Sequence, residues 1–148
     1  MHAHQMESVE EVREFVLAGN ARLTLVSKRT GTRFTFKIRK PQPETPHFVS
    51  LLTGTDNENG YTFFASIFER RELRHGMRAK LEHDAPGPAA FRWFWKHLCE
   101  QNALHPQLEV WHEGRCGRCG RPLTVPESIS NGLGPECIRK TGRTLSQE

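Results

Sequence analysis

From Val9 onward the apolar positions recur at helical spacing: Val9, Val12, Phe15 and Val16, ending before Gly19. Ser8 followed three residues later by Glu11 makes a capping box ahead of that run, so a short amphipathic helix is predicted. The period then changes to two. Leu23 and Leu25 alternate with polar neighbours, Thr30-Gly31 marks a turn, and Phe34, Phe36 and Ile38 alternate with Arg33, Thr35, Lys37 and Arg39. That pattern predicts a β-hairpin with one apolar and one basic face. Three prolines within residues 41–46 make a loop. Two further strands are expected over residues 47–53 and 61–68, joined by the turn-rich GTDNENG, and the second is too apolar to be exposed on both sides. Residues 69–83 are charged and ambiguous, and a short strand is expected over residues 77–81. After the loop residues Asp84-Ala85-Pro86-Gly87-Pro88, Phe91, Phe94, Trp95, Leu98 and Cys99 fall on one helical stripe, which should pack against the apolar face of the sheet.

Charge sharpens this picture. Of the 148 residues, 21 are Lys or Arg and 17 are Asp or Glu, a net charge of +4. The excess is concentrated: residues 21–40 hold Arg22, Lys28, Arg29, Arg33, Lys37, Arg39 and Lys40 and no acid. No run of roughly 18 apolar residues occurs, nor does an N-terminal secretory pattern, so a cytoplasmic protein that meets no membrane is expected. In that compartment thiols stay reduced, and four cysteines with one close CxxC pair point to metal or redox chemistry rather than to a disulfide framework.

Cys116-x2-Cys119 is the spacing of a zinc knuckle, in which a tight turn lets two thiolates converge on one tetrahedral ion. Cys137 follows Gly134-Pro135, which suit an N-cap and a first helical residue. It would then sit in the first turn of a helix, where backbone amides favour a thiolate. Knuckle, turn-rich hairpin and helix start outline a treble clef. The usual fourth position, one turn on, is held by Lys140 and Thr141, so another donor must close the site. His112 gives His-x3-Cys-x2-Cys-x17-Cys and is the expected fourth ligand, followed by His105, His97 and Cys99 in that order. Four protein ligands leave no position for water, so one structural Zn²⁺ per chain is expected, folding the tail rather than catalysing a reaction.

The string CGRCGRPLTVPESISNGLGPEC resembles an uncharacterised domain of many bacteriophage and prophage proteins, with the pattern CxxCGRxLTxPxSxxxGxGPxC. Every fixed position is present, from Cys116 through Gly120, Arg121, Leu123, Thr124, Pro126, Ser128, Gly132, Gly134 and Pro135 to Cys137. The basic hairpin and FVSLLTGTDN are also similar to the body that accompanies this module in such phage proteins. The resemblance implies a mobile-element origin and a metal-binding module; the family has no settled activity to carry over.

The expected fold class is α+β: a small antiparallel β-sheet packed with one or two helices over residues 1–107, and a treble-clef-like zinc module over residues 108–148. P-loop, GxSxG, HExxH and dinucleotide patterns are lacking, and the acids do not cluster, so neither an enzyme nor a small-molecule substrate is expected. The nucleic-acid candidates, for DNA or RNA, are Arg22, Lys28, Arg33, Lys37 and Arg39 on the hairpin, with Arg118 and Arg121 beside the knuckle. The alternative is a protein-binding inhibitor or adaptor acting on a host protein or nucleoprotein defence complex, in the manner of an anti-CRISPR protein. Trp93 lies off the apolar stripe, where it can stack on a base, meet a protein or cover the side of the core.

Overall fold

The structure is a computed structural model and describes residues 4–54, 60–77 and 79–112. Its elements run β1 (His4–Met6), α1 (Val9–Val16), β2 (Asn20–Ser27), β3 (Arg33–Arg39), β4 (His47–Leu52), β5 (Tyr61–Phe68), β6 (Glu72–His75), α2 (Pro86–Gln101) and β7 (Leu108–His112). Among the described residues the strands form one antiparallel sheet in the order β1-β7-β2-β3-β4-β5-β6. The chain is therefore α+β, and the last described strand lies inside the sheet, between β1 and β2.

α1 starts where the capping box predicts: the Glu11 amide donates to Ser8 Oγ at 3.3 Å. α2 begins on Pro86, which needs no amide partner in the first turn, and ends at Asn102 in the left-handed region with φ 51°. Both helices cover the same face of the sheet. The Phe36 ring lies 5.0 Å from Phe91 and 6.0 Å from Phe64 between centroids, and Phe15 lies 5.5 Å from His112. Phe36, Leu23, Leu25, Ile38, Val49 and Ile67 supply the sheet's side of this core, all fully buried. Truncating Phe36 to Ala would cost about 3–5 kcal/mol, the usual range for a large buried aromatic.

The hairpin alternates as its sequence predicts, with Phe36 and Ile38 buried and Arg33 and Arg39 exposed. A β-bulge sets the parity of β5. Val49 pairs with Ala65 and Ser50 with Phe63, leaving Phe64 without a partner on β4. Phe64 and Ala65 consequently both bury, and Phe63 is left on the helix-free face, 40% exposed.

The strand expected over residues 77–81 is not there. The strand is β6, which begins five residues earlier in the chain, and Met77 is fully exposed. The reason is a tight three-residue turn, Glu69-Arg70-Arg71, whose first two residues are at positive φ and in which the Arg71 amide donates to Phe68 O at 3.0 Å. His75 then donates from Nε2 to the Leu81 carbonyl at 2.8 Å, turning the following segment back.

Candidate nucleic-acid interface and metal ligands

Because Phe36 and Ile38 point to the helices, period-two geometry sends Arg33, Lys37 and Arg39 to the other face. Register extends that face across the sheet. Arg22 pairs with Lys37, Asn20 with Arg39, Lys37 with Ser50, and Arg39 with Phe48. Arg22 and Lys37 are like charges directly opposite one another on this face. Lys28 is exposed just beyond β2, in the tip turn where Gly31 adopts φ 77°. Its amide donates to Gln107 O at 2.8 Å. Five of the seven sequence-derived candidates thus lie on the hairpin, with Arg22, Arg33, Lys37 and Arg39 on one face; Arg118 and Arg121 lie outside the described residues.

β3, β4 and β5 contain no acidic residue. The acids of the flanking strands are engaged within their own strands: Glu109 accepts from Trp111 Nε1 at 3.0 Å, and Glu72 is bridged to Arg74 at 2.9 Å. That bridge is exposed on both partners and adds little stability. Asp56 and Glu58, in the connection between β4 and β5, lie outside the described residues.

Aromatic side chains share this face, and sequence reasoning missed them. Phe48 and Phe63 meet edge to face with ring centroids 6.0 Å apart, and Lys37 Nζ stands 5.6 Å from the centre of the Tyr61 ring. The alternation of HFVSLL carried the signal for Phe48. For Phe63 the bulge hid it.

Of the expected zinc ligands, the structure describes His112 alone; Cys116, Cys119 and Cys137 lie outside the described residues. His112 ends β7, is 1% exposed and packs its ring against Phe15. Three thiols and one imidazole are a chemically suitable tetrahedral zinc set. Among the described residues no group of three or more His, Cys, Asp or Glu could hold a metal.

The alternative donors are placed as follows. His97 and His105 have ring centroids 5.1 Å apart. His105 Nδ1 accepts the Gln107 amide at 3.1 Å, which keeps the neutral ring's proton on Nε2. Burial, and secondarily the charge of His97, hold its pKa below the usual histidine value. Cys99 is half-buried on α2, and burial pushes its thiol pKa up, away from the thiolate that a metal needs.

Trp93 is 55% exposed on α2 and borders a cavity of about 790 Å³. The cavity runs between the first half of α2 and the β2–β3 turn, and Phe34, Ala89 and Leu108 contribute to its largely apolar lining. No helix among the described residues is long and apolar enough to cross a membrane. In comparisons with known proteins, no curated protein and no solved structure matches the chain. Residues 108–142, a span that takes in β7, His112, Cys116, Cys119 and Cys137, match a family of unknown function, DUF6011.

Proposed function

We propose that this chain is a phage-type, non-enzymatic accessory protein that binds nucleic acid through the helix-free face of its sheet. The observation that carries the reading is the placement of Arg22, Arg33, Lys37 and Arg39 on one face, with no acid on β3, β4 or β5. Such a face attracts phosphates and gains free energy from released counterions. Zinc held by His112, Cys116, Cys119 and Cys137 folds the C-terminal module in this proposal, supplying no reaction chemistry. Arg118 and Arg121 then add phosphate contacts beside the knuckle.

Fluorescence anisotropy of labelled oligonucleotides, titrated with zinc-loaded protein at low and physiological salt, tests this. The expected result is an affinity whose logarithm falls linearly with log salt. Replacing Arg33, Lys37 and Arg39 together by Ala should weaken binding and flatten the slope by about 0.7–0.9 for each phosphate that is no longer neutralised. Absence of binding at low salt, or indifference to the triple replacement, overturns the reading.

One observation favours a second reading, a protein-binding inhibitor or adaptor of anti-CRISPR type acting on a host defence complex. Trp93, 55% exposed beside an apolar cavity, has the character of an interface anchor. In that case binding to the host complex would survive high salt and fail on Trp93→Ala.

A further inference from the structure

The helix-free face is more than a field of positive charge. Phe63 is 40% exposed on it, on β5 next to the edge strand, at the end of the row that runs from Lys37 through Ser50 to Phe63. Phe48 occupies the adjoining row, which runs from Arg39 through Phe48 and Ser66 to Arg74. Neighbouring strands lie about 4.8 Å apart, so Arg39 directly flanks Phe48 and Lys37 is two strands from Phe63. The residues between them, Ser50 and Ser66, are small. The aromatic rings therefore rise above a low polar floor with cations at its margins.

The Phe63 ring is also held in place. Its edge meets Phe48, and its Cε2 would come within 2.8 Å of a Cβ at position 76, a space open only because that residue is glycine. Gly76 is fixed in turn by its amide donating to Phe64 O at 2.8 Å. A ring oriented in advance binds a planar partner with less loss of freedom. Scattered exposed aromatics are common, but a pair in mutual contact on a set of strands, β3 to β5, that carries cations and no acid has a particular chemical complement. Bases stack on such rings, while the phosphates between them meet the flanking cations. A duplex hides its base faces and could use the cations only.

We infer that the ligand of this face is a single-stranded nucleic acid, with a base stacked on Phe63 against Phe48 and an adjoining phosphate on Arg39. The inference rests on the nucleic-acid reading above and narrows it to one class.

The test uses the full zinc-loaded chain and a single strand of about 12 nucleotides carrying one 2-aminopurine, a length within the range that such folds cover. The same sequence is also presented as a duplex and as RNA, each titrated over the same series of salt concentrations. The single strands should bind at least about tenfold tighter than the duplex, with quenching of the 2-aminopurine. Phe63→Leu should weaken single-strand binding roughly tenfold and abolish quenching while the salt slope stays unchanged. Phe63→Trp should retain both affinity and quenching. Arg39→Ala should instead lower the slope and leave quenching intact at saturation.

Phe63 is part-exposed, so these variants should remain folded; Phe48→Leu gives a second, independent loss of stacking. Salt-dependent binding in which duplex equals or exceeds single strand, or in which Phe63→Leu and Phe48→Leu change nothing, overturns the inference and leaves the broader reading standing. Absence of binding by every oligonucleotide at low salt overturns both. The DNA and RNA arms show which sugar the single strand carries, and tighter binding of either over the duplex supports the inference.

Discussion

The imidazole of His47, at the start of β4, donates from Nε2 to the Leu17 carbonyl at the end of α1, at 3.0 Å. The ring is 2% exposed, and burial first, then the charges of Lys40 and Arg70, hold its pKa below the ordinary 6.5, against the partial opposition of the hydrogen bond itself. Below pH 6.5 the unfolded chain therefore binds a proton that the folded chain refuses. Stability should fall as pH drops from that value through the folded pKa. Urea unfolding at about pH 7.5 and about pH 5 checks this as a difference. His47→Gln should lose less stability over the interval than the parent, and equal losses would exclude His47 as the source.

The turn between β5 and β6 is made of the wrong residues for its shape. Glu69 and Arg70 adopt φ 54° and 63°, the left-handed conformation that Asn and Gly take readily. Replacing the pair by Asn-Gly should stabilise the protein by about 1 kcal/mol and raise the melting temperature by about 3 °C. A fall in melting temperature would indicate that the side chains of Glu69 and Arg70 matter more than their backbone.

Thr24 and Thr35 share a hydroxyl hydrogen bond of 2.8 Å across β2 and β3. Changing either to Val should cost about 1 kcal/mol, since the remaining hydroxyl loses its partner. Changing both should cost less than the two single changes combined, because neither donor is then stranded. A double-mutant cycle by chemical denaturation measures the coupling, and a coupling near zero would mean that water replaces the bond without loss.

Zinc content gives the sharpest check on the C-terminal module. Cys116→Ser or Cys137→Ser should release the one equivalent expected per chain. His112→Ala should weaken zinc far more than Cys99→Ala, and His112→Cys should keep it by offering a fourth thiolate. Elemental analysis of protein dialysed against a weak chelator reads all five variants. Full retention by His112→Ala would return Cys99 or His105 to consideration. Because His112 packs on Phe15 inside the sheet, His112→Ala should also lower the melting temperature, which His112→Cys should do less.

How legible these features were depended on how local their causes are. α1 was readable because Ser8 and Glu11 act within one turn, and β2–β3 because a strict alternation brackets Gly31 at φ 77°. β6 was not: its turn lacks the glycine or asparagine that marks such shapes, so the sequence pattern points to a strand too late in the chain. The basic half of the face was visible in Arg33, Lys37 and Arg39. Its aromatic half was hidden, since Phe63 lies in an apolar run and only the register shift between β4 and β5 sends it outward. The position of β7 had no local signature at all, since its neighbours β1 and β2 lie at the other end of the sequence.

That position matters during biosynthesis. Among the described residues β1 joins the sheet only through β7, with Met6 opposite Val110 and Gln5 opposite Trp111. At about 5–20 residues per second, a ribosome needs roughly 5–20 s after making β1 before β7 exists to receive it. For that interval β2 has β3 on one side and an open row of amides and carbonyls on the other, a template on which a neighbouring nascent chain can pair. The strand that leads toward the cysteine module is thus also the closing piece of the sheet, and a chain cut short before Leu108 would leave that template permanently open.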